Sequence, residues 1–217
     1  MLVLTDILSG TTMRVSQLIF ILALLFALPT LSRAGTIHVP ADKPTIQEGI
    51  NLAFSGDTVL VASGTYTGAL NTDLDFLGKN IVLLSQSGAA STIIDCENVE
   101  FRRGVYLHSG ENASAKIAGF TITRGAHRGG GIYCVGTSPT IEECVLSYHY
   151  SYHGGAAIRC DSGAAVTLRN STVAFNYSGI REKSQGQERG SDIASNTLTP
   201  FGQGGAICID SGSSAVI

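Results

Sequence analysis

The sequence contains no tryptophan, and only 14% of its 217 residues are charged and 7% aromatic. It also lacks a basic excess: 14 Lys and Arg stand against 17 Asp and Glu, for a formal net charge of −3. A surface built to hold nucleic-acid phosphates shows as such an excess, so no nucleic-acid partner is expected. None of the five cysteines forms a Cys-x-x-Cys pair, which removes the zinc-knuckle and thioredoxin-like signals. What the chain has in plenty is glycine, 26 residues, and apolar side chains, 44%. That balance is too apolar for a disordered tail and too glycine-rich for a helix bundle, and the length suits one domain rich in strands and turns.

The N-terminus reads as a targeting segment. Met13-Arg14 precedes eleven consecutive apolar residues, Leu18 to Leu28, followed by Pro29 and the small-residue site Ser32-Arg33-Ala34. Eleven residues cannot cross a bilayer as a helix, which needs ~20. The expectation is a signal peptide over residues 1–34, with the true start at Met13 and Gly35 as the mature N-terminus. The product would be secreted or held at the outer cell surface, and would not span a membrane after cleavage. Removal of the segment leaves a net charge of −4 and keeps Cys96, Cys134, Cys144, Cys160 and Cys208. An odd count in an oxidising compartment leaves at least one thiol free or paired between chains.

Internal repeats organise the rest. Gly129-Gly130-Gly131-Ile132-Tyr133-Cys134 is echoed by Gly154-Gly155-Ala156-Ala157-Ile158-Arg159-Cys160, and again by Gly204-Gly205-Ala206-Ile207-Cys208-Ile209. Ile132 and Ile158 are 26 residues apart, and Ile158 and Ile207 are 49 apart, close to two such steps. A second track aligns Lys116–Ile122 with Thr140–Leu146 and Thr167–Val173, at offsets of 24 and 27, and Val216-Ile217 begins another copy. Its apolar positions (Ile117, Phe120, Ile122; Ile141, Cys144, Leu146) depart from strict alternation, which predicts a bend between the first and second. One strand pair per period cannot bury its own apolar face, whereas stacked coils bury a continuous core. The prediction is a solenoid of parallel coils about 4.8 Å apart, with aliphatic ladders inside.

Thr58–Val61, Asn80–Leu84, Thr92–Ile94 and Gly104–Leu107 read as strands of earlier coils. Residues 41–53 differ: Thr45 and Glu48 have capping-box spacing, and Ile46, Ile50 and Ala53 share one helical face. Residues 35–55 are therefore read as an N-terminal cap and 56–217 as coils. A polar stretch, 177–203, interrupts the period as either a projecting loop or a degenerate coil. The last copy stops at Ile217 where earlier copies continue, so further coils are expected beyond it.

The string Thr36-Ile37-His38-Val39-Pro40, with Thr45-Ile46-Gln47-Glu48-Gly49-Ile50, Gly56-Asp57-Thr58-Val59 and Gly64-Thr65-Tyr66, resembles the start of pectin-lyase-like proteins. Thr92-Ile93-Ile94-Asp95, Gly119-Phe120-Thr121-Ile122-Thr123 and the Gly-Gly-x-Ile-x-Cys copies are similar to bacterial secreted β-helix repeats. The resemblance implies an all-β fold, a right-handed parallel β-helix with a short N-terminal capping helix. It implies little about activity, because that fold hosts lyases, esterases, hydrolases, adhesins and spikes. Asn71-Thr72-Asp73 matches one hydrolase string, but no Asp-Asp or Gly-His-Gly follows. Asp161 and Asp210 occupy equivalent positions that read as turns. No catalytic residue, metal ligand or cofactor is expected; calcium is the one ion the resemblance leaves open.

The most unusual string is Ser147-Tyr148-His149-Tyr150-Ser151-Tyr152-His153. His127 and His153 are 26 residues apart, the step that relates Cys134 to Cys160, so the two imidazoles are expected on adjacent coils. His127, Tyr148, His149, Tyr150, Tyr152 and His153 are thus the candidate glycan-facing residues, against the alternative of a polar turn with stacked aromatics. Cys134 and Cys160 fall within disulfide reach or form a ladder of thiols, the in-register geometry favouring thiols. The function expected is a structural, adhesive or glycan-binding surface protein meeting an extracellular polysaccharide. The alternative is a polysaccharide lyase or hydrolase whose catalytic coils lie beyond residue 217.

Overall fold

The computed structural model describes residues 4–5, 12–13, 17, 34–152, 154–179, 199–200, 206–209 and 212–216. The chain divides into two compact units, Met1–Arg33 and Ala34–Ile217. In the first, Leu4–Thr5 pairs antiparallel with Thr12–Met13. The apolar run 18–28 and the expected cleavage site lie outside the described residues, as does most of the polar stretch 177–203.

The second unit is a parallel β-solenoid. Its first face is a seven-stranded sheet of Thr36–Val39, Thr58–Val61, Val82–Ser85, Lys116–Ala118, Thr140–Glu142, Ala165–Arg169 and Ser214–Val216. The second face stacks Gly64–Tyr66, Thr92–Asp95, Thr121–Thr123, Val145–Ser147 and Thr172–Ala174. The third stacks Val105–Leu107, Ile132–Val135, Ile158–Asp161 and Ile207–Ile209, with Thr199–Pro200 at its edge. A short fourth wall joins Tyr150–Ser151 to Tyr177–Ser178 and continues down through Ala126 to Glu100. Among the described residues every pairing in this unit is parallel, as the repeats require.

The register follows the sequence offsets. Lys116 pairs with Thr140 and Thr140 with Thr167; Ile132 pairs with Ile158 and Ile158 with Ile207. Ile37, Val59, Leu83, Ile117, Ile141 and Leu168 consequently form one buried column behind the first face. Ile94, Ile122, Leu146 and Val173 form another behind the second. Burial of each Ile, Leu or Val stabilises by roughly 1.5–3 kcal/mol against the ordering cost of its rung.

The bend read between the apolar positions is a single left-handed residue per coil: Gly119 (φ 76°), Glu143 (φ 53°) and Asn170 (φ 48°). One such residue turns the chain from the first face to the second, and only glycine adopts it without steric cost. The five cysteines are buried free thiols. Cys134 stands in register with Cys160, while Cys208 pairs with Arg159, so its side chain lies on the opposite side of the sheet from Cys160.

A helix, Ile46–Leu52, packs Ile46 and Ile50 against the first coil. Its cap, Thr45, accepts from the Glu48 N–H, and the Thr45 hydroxyl donates to the Glu48 carboxylate at 2.6 Å. Thr36–Val39, inside the segment read as a cap, is itself a strand of the first face. Lys79 Nζ donates to the Ile50 and Asn51 carbonyls at the helix C-terminus, where a cation is favourable. Asp57 clamps the two ends of this region: one oxygen accepts from Gly35 N–H at 2.6 Å and the other from Phe54 N–H at 2.8 Å. These bonds, Phe54 first and then Gly35, hold its carboxyl below the usual range. The clamp is therefore present above the ordinary carboxylate pKa and is lost as pH falls through the lowered one. Asp57→Ala is expected to lose about 2 kcal/mol in urea unfolding at pH 7, since two N–H groups lose a charged acceptor. A loss under about 0.5 kcal/mol would show that water replaces the carboxylate at little cost.

Candidate functional site

Outward residues on the third face repeat with the coil. Tyr106 stands under Tyr133, and Tyr133 under Arg159. The tyrosine rings stack at 5.2 Å with 15° between planes, and the Arg103 guanidinium lies 4.5 Å and 5.5 Å from their centroids. Arg103 is also held by Asp73 at 2.9 Å, which fixes a cation over the π faces. The Tyr133 hydroxyl donates to Asp161 Oδ2 at 2.7 Å, and Arg159 Nε donates to the same oxygen at 2.9 Å. Burial and then this carboxylate push the Tyr133 phenol up, so it stays protonated.

The fourth wall faces this column. Between them runs a cleft of ≈320 Å³ whose sides include Phe101, Arg103, Tyr106, His127, Tyr133 and Tyr152. Glu100 and Arg128 add one carboxylate and a second guanidinium. His127 packs edge-on to Phe101 at 5.6 Å. Burial, then the Arg103 charge, lowers its pKa, so its ring is neutral at pH 7. The cleft offers aromatic side chains and two arginines in a protein of net negative charge, and the Tyr106 ring is itself stacked on His108 at 4.2 Å as well as on Tyr133.

The predicted string does not form one face. Tyr148 sits at the left-handed corner after the second face (φ 58°), exposed and stacked on Phe175 at 5.1 Å, outside the cleft. His149 turns inward and is 1% exposed, so it cannot meet a glycan. Tyr150 is buried, stacked on Tyr177 at 5.4 Å, with its hydroxyl donating to Gly179 O at 2.6 Å. Tyr152 alone of the three tyrosines lines the cleft, 48% exposed and edge-on to Tyr150 at 4.8 Å. His127 lines it too, and His153 lies outside the described residues. The physical reason is the corner: in an uninterrupted strand residues i, i+2 and i+4 share one face, but the left-handed Tyr148 turns the chain just before the short strand Tyr150–Ser151, so the three tyrosines do not tile one plane.

Sequence reading passed over Arg103, Tyr106, Arg128 and Tyr133. Tyr133 occupies the variable place in Gly-Gly-x-Ile-x-Cys, with Arg159 there in the next copy. An aliphatic–variable–cysteine triplet in a strand points its middle residue outward, and that signal would have found the column. Asn71-Thr72-Asp73 is structural: Asn71 accepts from Ile46 N–H, Thr72 donates to Gly68 O, and Asp73 pairs with Arg103. Among the described residues no group of three His, Cys, Asp or Glu could hold a metal ion, and no helix is long and apolar enough to cross a membrane.

No family model matches this chain, and no curated protein or solved structure matches it.

Proposed function

We propose that the protein is a secreted or surface-held solenoid that binds an acidic glycan along the cleft between the third face and the fourth wall. The observation that carries this reading is the Tyr106–Tyr133 stack with Arg103 over it, facing His127, Arg128 and Tyr152 across the cleft. Sugar rings present C–H faces to aromatic rings, and guanidinium groups hold carboxylate or sulfate at fixed orientation. The column runs along the solenoid axis through Tyr106, Tyr133 and Arg159, which suits an extended polymer. The resemblance of residues 36–66 to pectin-lyase-like proteins, and the signal-like segment before them, support the same setting.

The test is titration calorimetry with oligogalacturonate, an alginate oligosaccharide and a neutral cello-oligosaccharide. Binding of an acidic oligomer, weakened about tenfold or more by Arg128→Gln, is the expected result, since a charged hydrogen bond contributes roughly 1.5–3 kcal/mol. Tyr133→Ala should weaken it comparably by removing the stacking surface. Equal binding of neutral and acidic oligomers, or of wild type and Arg128→Gln, would overturn the acidic assignment. Absence of binding to all three would remove the glycan reading for these polymers.

A further inference from the structure

His149 is a buried imidazole just before the fourth-wall strand Tyr150–Ser151, set against Gly125 and Gly131 of the segment that carries His127 and Arg128. That segment, residues 125–131, leaves and rejoins the wall through two legs that almost touch. A Cβ placed on Gly125 would lie 1.9 Å from Gly130 O, and one on Gly130 would lie 2.8 Å from Gly125 O. No side chain fits between the legs. The first leg is held by Ala126 N–H donating to Arg102 O at 2.9 Å and by Tyr150 N–H donating to Gly125 O at 2.7 Å. The second is held by Gly104 N–H donating to Gly130 O, and by Gly131 N–H donating to Ala156 O, both at 3.0 Å.

The His149 ring touches both legs. Its Nδ1 accepts from Gly125 N–H at 3.0 Å. Its other edge abuts Gly131, where a Cβ would meet Nε2 at 2.9 Å. Its backbone is held from the next coil, where Asn176 Oδ1 accepts from the His149 main-chain N–H at 3.0 Å. Burial keeps the imidazole uncharged, and with Nδ1 accepting, its proton resides on Nε2. The backbones of Gly125, Gly131 and Ile122 lie against the ring.

We infer that His149 is a positioning residue for the cleft: its ring sets the separation of the two legs and so places His127 and Arg128 for ligand. The inference rests on the cleft being the ligand site, but its central test does not. Two substitutions separate acceptor from bulk. His149→Leu keeps much of the volume and removes the acceptor for Gly125 N–H. His149→Asn restores an acceptor near the Nδ1 position, and Asn176 occupies the equivalent place one coil on.

Hydrogen exchange of the full chain at pH 7 is the readout. In His149→Leu, amides of residues 125–131 should exchange about tenfold faster, the loss of one buried hydrogen bond, with the first-face strands unchanged. His149→Asn should return them to within about twofold of wild type. Oligogalacturonate affinity should follow the same order: wild type, then Asn, then Leu. Equal acceleration throughout the solenoid in His149→Leu would show a general structural role and overturn the inference, as would Asn behaving like Leu. If wild type does not bind oligogalacturonate, that choice of ligand fails while the exchange pattern still decides the positioning role.

Discussion

Phe120→Ala is expected to destabilise the solenoid by about 3–5 kcal/mol. The ring is fully buried and is among the largest side chains in the interior. It precedes Thr121–Thr123, and its carbonyl accepts from Val145 N–H at 2.9 Å, so it sits between the ladders of the first and second faces. Cavities are cheapest where walls can collapse. Here the walls are parallel sheets whose rung spacing is set by backbone hydrogen bonds at about 4.8 Å, so a void left by a phenyl ring stays open. The interior is also quasi-one-dimensional: a weakened coil interface is not compensated by distant packing. Urea unfolding of the variant measures the cost. A loss below about 1 kcal/mol would mean that the tube closes around the void, contradicting rigid coil spacing.

Acid should unfold the protein through His149 before most carboxylates are protonated. The imidazole is pushed down to about 3 by burial, and no charged side chain offsets that among the described residues. In the unfolded chain it titrates near 6.5. Between these values the unfolded state binds a proton that the folded state refuses, so stability rises with pH and is lost as pH falls from about 6.5 toward 3. The loss approaches about 1.4 kcal/mol per pH unit, roughly 3 kcal/mol by pH 4.5 and about 4 kcal/mol by pH 3. His127, lowered as well, acts in the same direction. The depressed carboxylate of Asp57 contributes only below the ordinary carboxylate range. Urea unfolding of wild type and His149→Asn at pH 7, 6, 5 and 4 isolates the effect. The variant should show a visibly flatter dependence; identical slopes would assign the acid sensitivity elsewhere.

Much of the fold was legible because the solenoid writes its register into the chain. Offsets of 24, 26, 27 and 49 residues between Ile, Leu and Val positions are the strand pairings themselves, as Ile132–Ile158–Ile207 shows. The corner between the first two faces was legible for the same reason: three apolar positions with one interval too long demand an extra residue, found at Gly119, Glu143 and Asn170. The cleft was harder. Its walls come from loops of unequal length, residues 97–104, 124–131 and 148–157, whose side-chain directions no period specifies. His149 looked like a surface residue because its neighbours are tyrosines, yet only the corner geometry sends it inward. Cys134 and Cys160 show the converse limit, since their offset gave the neighbour and not whether a bond joins them.

The parallel pairing of the fourth wall has an evolutionary consequence. Each coil contributes one step of that wall and one outward residue of the third face, so duplicating or deleting a period changes the cleft's length in whole steps, and the outward residue of the coil concerned sets the chemistry of that step. Under the proposed glycan reading, such a site would act as a tape measure for the polymer. Affinity would grow multiplicatively with the number of steps engaged, as linked contacts do. Relatives of different coil number would then sort polymers by length rather than by composition.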